Sequence, residues 1–111
     1  MKRWLTPGLI LLLVVAAPLL LAGKGDATQG KEVYTKRCAT CHGPSGEGKE
    51  SMAKALKVTM RHLGSKEVQA KSDAELKKII TEGTGKMKGI KDIPPAHVDN
   101  VIAFVRTLAK K

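Results

Sequence analysis

Apolar and polar positions change rhythm several times along this chain of 111 residues. Residues 9–17 are uninterrupted apolar, and after Pro18 the run resumes with Leu19, Leu20, Leu21 and Ala22. Beyond Gly25 charged residues enter and the spacing becomes helical. Asp26-Ala27-Thr28-Gln29 has the form of a capping box and predicts a helix starting at Asp26. Gly30, Val33, Tyr34 and Cys38 recur on one face of it. A glycine inside a helix is unfavourable by roughly 1 kcal/mol against alanine, so Gly30 predicts close approach of a second helix. Residues 43–48, rich in Gly with one Pro, cannot continue a helix and predict a loop. A short helical turn is expected over residues 51–56, and an irregular stretch over 57–71. Ser72-Asp73-Ala74-Glu75 is a second capping box, with Leu76, Ile79 and Ile80 on one face and Gly83 as the stop. Residues 84–93 read as a loop carrying Gly85, Met87 and Gly89. Pro94-Pro95 opens a last helix, where proline is tolerated in the first turn. Val98, Val101, Ile102, Val105 and Leu108 form its apolar stripe. No strand pattern or internal repeat is present, and the expected fold class is all-α.

The first apolar run belongs to targeting. Lys2 and Arg3 precede it and small residues close it, the form of a secretory signal cleaved after Ala22 or Gly23. The competing reading is an uncleaved anchor, because residues 4–22 come close to the roughly 20 residues that cross a hydrocarbon core as a helix. Either reading divides the chain into residues 1–22, a signal peptide or membrane anchor, and residues 23–111, a single working domain. Both send that domain out of the cytoplasm, to the periplasm or an equivalent compartment, with membrane contact through residues 4–22 in the anchored case.

Composition then narrows the interior. Trp4, Tyr34 and Phe104 are the only aromatic residues, a thin supply of large rings for a small domain. Two cysteines exclude a disulfide-dense scaffold and a four-cysteine metal site. They stand in Cys38-Ala39-Thr40-Cys41-His42, the pattern of covalent haem c attachment. Two thiols on adjacent turns can each add to one vinyl group of a porphyrin, and the imidazole after Cys41 then lies beneath the iron. A porphyrin would also supply the missing apolar bulk. Three other uses of these residues compete with haem attachment. A thioredoxin-type pair belongs at a strand-to-helix junction, which this chain lacks. A disulfide across two intervening residues closes a tiny loop and stabilises little. A zinc site needs a fourth ligand, for which only His62 or His97 remains.

Tyr34-Thr35-Lys36-Arg37-Cys38-Ala39-Thr40-Cys41-His42-Gly43-Pro44, followed by Gly46 and Gly48, resembles the start of a class I cytochrome c. Ile79-Ile80-Thr81-Glu82-Gly83-Thr84-Gly85-Lys86-Met87 resembles that family's approach to the sixth iron ligand, and residues 98–108 resemble its C-terminal helix. The resemblance covers about residues 26–109. It implies helices wrapped around one covalently attached haem, with the first and last helices crossing at Gly30 and Tyr34 on one side and Val101 and Phe104 on the other. It also implies His/Met ligation of the iron, by His42 and Met87. Met52 and Met60 are read as apolar filler and His62 and His97 as surface residues, His62 being the alternative sixth ligand. Two departures stand out. Residues 51–56 hold no proline where members often have one that helps orient the proximal imidazole, so the acceptor for the His42 ring N–H is unassigned. Lys88 follows Met87, where members frequently have proline.

Charge bears on partners. The chain carries 20 Lys and Arg against 10 Asp and Glu, and without Lys2 and Arg3 the domain is left at +8. Lys86, Lys88 and Lys91 bracket Met87, a basic collar suited to an acidic redox partner. Nucleic acid is disfavoured as a partner, since an exported chain with almost no stacking aromatics is a poor match. The expected function is a monomeric, non-enzymatic electron carrier. The alternatives are a haem protein with an open sixth position, ligand-binding or peroxidase-like, and a haem subunit of a membrane oxidoreductase complex.

Overall fold

The computed structural model describes residues 25–110 together with Gly8. The N-terminal apolar run and its expected cleavage point lie outside the described residues.

Asp26 caps α1 (Ala27–Arg37), its carboxylate accepting from the Thr28 and Gln29 amides. The return bond of a capping box is replaced by a long-range one. The Asp26 amide donates to Asn100 Oδ1 at 2.8 Å, and Asn100 Nδ2 donates to Gln29 Oε1 at 3.3 Å. The cap is thereby tied to α6 (Pro95–Thr107), whose inward stripe of Val98, Val101, Ile102, Phe104 and Val105 is buried. The two helices cross at Gly30, where a Cβ would run into the Asn100 carbonyl. One turn along α1, the Tyr34 ring meets Phe104 with centroids 4.8 Å apart and planes tilted by 51°. Gly25, which reads in sequence as a loose lead-in, is held against the Asp99–Asn100 backbone at the same crossing.

After α1 the chain breaks at Cys38 and makes a single turn, α2 (Ala39–His42). A loop leads to α3 (Glu50–Leu56), which ends at Lys57 in the left-handed conformation, φ 55°. Residues 57–71, expected to be irregular, contain one ordered turn, α4 (Lys66–Gln69), started by the Ser65 hydroxyl accepting from the Val68 amide. One turn is too short for hydrophobic periodicity to register. The Arg106 guanidinium fixes the segment to α6, donating to the Gln69 carbonyl at 2.9 Å and the Lys71 carbonyl at 2.7 Å. Gln69 Nε2 in turn donates to the carbonyls of Leu63 and Val105.

Ser72 caps α5 (Asp73–Glu82) as its capping box predicts, accepting from the Glu75 amide. Leu76 of α5 joins Val68, Val98 and Ile102 in the core, with Leu63, Ile80 and Ile93 at its edge. The expected loop after α5 is not wholly irregular. β1 (Gly83–Thr84) and β2 (Met87–Lys88) form a two-residue antiparallel hairpin, Gly83 opposite Lys88 and Thr84 opposite Met87. Strands of two residues show no alternation, which is why the pattern missed them. The fold is all-α with this one hairpin among the described residues.

Candidate functional site

Local backbone bonding sets the geometry of the cysteine–histidine turn. The Cys38 amide closes α1 on the Tyr34 carbonyl at 2.8 Å, and the Cys38 carbonyl then accepts from both the Cys41 and His42 amides. Cys38 and His42, four residues apart on one turn, lie on a common face. The following loop folds back onto the turn. The Gly48 amide donates to the His42 carbonyl at 2.7 Å and the Lys49 amide to the Cys41 carbonyl at 2.9 Å. The buried Tyr34 hydroxyl donates to the Gly43 carbonyl and ties the loop to α1.

Cys38, Cys41 and His42 open onto a cleft of about 1000 Å³, and Met87 reaches the same cleft from β2. That is the upper end of the volumes typical of cofactor sites, roughly 300–1,000 Å³. Met52 and Leu56 of α3 line one wall with Val58 and Met60, and Ile90 lines another. At its inner end a smaller void of about 70 Å³ is shared by His42, Met87, Val68, Leu76, Ile80 and Val101. Four residues singled out in sequence are thus brought to one cavity. His97 is exposed on the first turn of α6. His62 is half-buried rather than superficial, its Nδ1 accepts from the Gly64 amide at 2.9 Å, and it does not line the cleft.

Electrostatics separates the candidate chemistries. Both thiols are free. Burial pushes the Cys38 thiol up to about 11, whereas a redox dithiol works through a thiol pKa lowered toward neutrality. Burial lowers the His42 pKa, favouring the neutral imidazole that a metal ion requires. His42 Nδ1 is buried without a hydrogen-bond partner among the described residues. The acceptor left unassigned by the sequence is therefore not found among the described residues either. No cluster of three metal-binding side chains exists among the described residues.

Residues 25–105 match the family model described as cytochrome c oxidase, cbb3-type, subunit III. The chain belongs to this family of c-type cytochrome domains. A cytochrome c-554(547) from Halothiobacillus neapolitanus is 34% identical over 92 residues, a stretch covering 76% of this chain and 98% of that protein. The solved structure of the KustC0563 c-type cytochrome is 31% identical with a TM-score of 0.64, covering 73% of this chain and 98% of that one.

A c-type cytochrome domain carries covalently bound haem c, and the cleft fits such a group. Its walls are mainly apolar, and His42 presents its ring to the space. No residue of α3 is buried, although Met52 and Leu56 face the cleft, so that helix lacks a packing partner for its apolar side until something fills the space. Pattern reading overlooked this wall. Leu56, Val58 and Met60 are half-buried and alternate with exposed Lys57, Thr59 and Arg61. That alternation, recognised as such, would have placed Leu56, Val58 and Met60 together along one side of the cavity.

Proposed function

We propose that this cytochrome is a monohaem electron carrier whose haem is attached through Cys38 and Cys41 and ligated by His42 and Met87. The observation that carries the reading is the convergence of those four side chains on a single cleft. The haem iron supplies the one-electron change. The chain's part is to hold the ring in a dry site, to keep its edge near the protein surface, and to choose the ligands. Met87 with His42 as ligands would favour reduced iron and raise the potential relative to two imidazoles. Met87 as ligand leaves no free iron position, which disfavours a ligand-binding or peroxidase-like role. His62, turned to the Gly64 amide, is a poor rival.

The mouth of the cleft is basic. Arg37, Arg61, Lys86, Lys88 and Lys91 line it with a single acid, Asp92. Such a rim steers an acidic redox partner to the exposed edge and accelerates encounter. The domain acts outside the cytoplasm as a monomer, with residues 1–22 as its export signal or anchor. No helix of the described residues is long and apolar enough to cross a membrane. A second reading, a haem subunit of a membrane oxidoreductase, draws support from the family's description. The test of attachment is the mass of the protein matured with haem-ligation machinery, measured under denaturing conditions. One haem added to the chain is expected, and none in the Cys38→Ser/Cys41→Ser double variant. A wild-type mass without haem would sink the proposal.

A further inference from the structure

Arg37 and Asp92 meet across the mouth of the cleft. Arg37 ends α1 and directly precedes Cys38, while Asp92 lies between β2 and α6. The contact is a two-pronged fork, Arg37 Nη1 to Asp92 Oδ2 at 3.0 Å and Nη2 to Oδ1 at 2.8 Å. Paired donors of this kind fix orientation as well as distance. Among the described residues it is the only ion pair joining the helix that leads into Cys38 to the segment carrying Met87. The other three, Lys54–Glu50, Lys77–Asp99 and Arg106–Asp73, hold other parts of the fold.

The Met87 segment needs such a hold. Beyond the hairpin, its backbone is tied to α5 by the Ile90 amide donating to the Ile80 carbonyl at 2.8 Å. That bond lies on the α5 side, which leaves the α1 side to side chains. Lys86, Lys88 and Lys91 are exposed on the same segment and repel Arg37 and Arg61 across the mouth. Asp92 supplies the one countercharge in that rim, and it is spent on Arg37. Lys88 and Gly89 follow Met87, so no proline ring stiffens the chain there.

We propose that Arg37 and Asp92 are a positioning pair that draws the Met87-bearing segment against the haem-attachment turn and so keeps the Met87 sulfur over the cleft. The consequence for the iron rests on Met87 being its ligand, whereas the closure of the segment does not. Exposed pairs are weak even when well oriented, so the expected effects are modest, about 3- to 5-fold.

The test uses the haem-loaded protein as wild type, Asp92→Asn, Arg37→Gln, and the charge swap Arg37→Asp/Asp92→Arg. Two rates are read: native-state exchange of the Ile90 amide, and binding of added imidazole to the ferric protein. Each single variant is expected to raise both rates about 3- to 5-fold, and the swap to bring them back toward wild type. Unchanged Ile90 exchange in the single variants overturns the proposal, as does a swap that stays as fast as they are. Met87→Ala is the control for the ligand. If its absorption spectrum matches wild type, the ligand reading fails, and Ile90 exchange still decides whether the pair holds the segment.

Discussion

At Gly30 the space for a side chain is taken by the Asn100 carbonyl, and the consequence is measurable. Gly30→Ala should wedge α1 from α6 and cost about 2 kcal/mol, within the usual range for overpacking. A fall of about 10 °C in the thermal midpoint of the haem-loaded protein would match, and an unchanged midpoint would deny the close crossing. Tyr34 gives a second test. Its hydroxyl serves the Gly43 carbonyl, and burial raises its pKa to about 12, with the nearby Glu47 charge adding to the effect. The folded state resists ionising this phenol more than the unfolded state does. The stability involved is complete below the unfolded value near 10 and fades as pH rises through about 12. Tyr34→Phe should therefore lose about 1 kcal/mol at neutral pH through the unpaired carbonyl, yet show a flatter alkaline limb in a stability–pH profile. Gly30 was legible in sequence because glycine inside a helical pattern demands a reason. The Tyr34–Gly43 bond was not, since nothing in the pattern of side chains announces which carbonyl a phenol will reach.

Among the elements, α3 has the least of its own to stand on. None of its residues is buried, and its Met52 and Leu56 face the cleft. It should be ordered by the haem that fills that space. In the Cys38→Ser/Cys41→Ser chain lacking haem, amides of Glu50–Leu56 should exchange nearly as fast as in an unfolded peptide, while those at the centre of α6 stay protected. Equal protection of α3 with and without haem would contradict this dependence. The elements read most easily from sequence were those that carry their own signals. α1 and α5 have polar caps, and α6 has a proline start and a full apolar stripe. α4 and the β1–β2 hairpin escaped because one helical turn and two paired residues are shorter than any period. The alternation from Leu56 to Met60 escaped for another reason. It faces the cleft rather than a protein core, so it reads as filler until the cleft is seen.

The whole molecule is a basic body with a basic mouth, and long-range charge governs how it meets other proteins. With an acidic redox partner, the second-order electron-transfer rate should fall about 10-fold or more as ionic strength rises through the range where the Debye length shortens from about 30 to 8 Å. Lys86→Glu/Lys88→Glu should flatten that dependence, and salt-independent rates in the wild type would remove the steering role. At this scale the sequence is informative about chemistry and silent about closure. The spacing of Cys38, Cys41 and His42 points by itself to haem attachment. Met87 was reached through family resemblance, and the Arg37–Asp92 contact came only from the folded chain, because residues so distant in sequence share no local pattern. The central claim is the ligand set, His42 and Met87 on a covalently attached haem. Its most direct test is the absorption spectrum of the matured protein, oxidised and reduced, beside that of Met87→Ala. A c-type spectrum with a weak sulfur-to-iron charge-transfer band is expected in the oxidised wild type, and loss of that band in the variant. A wild-type spectrum without the band, or a variant that retains it, would rule out Met87 as the ligand.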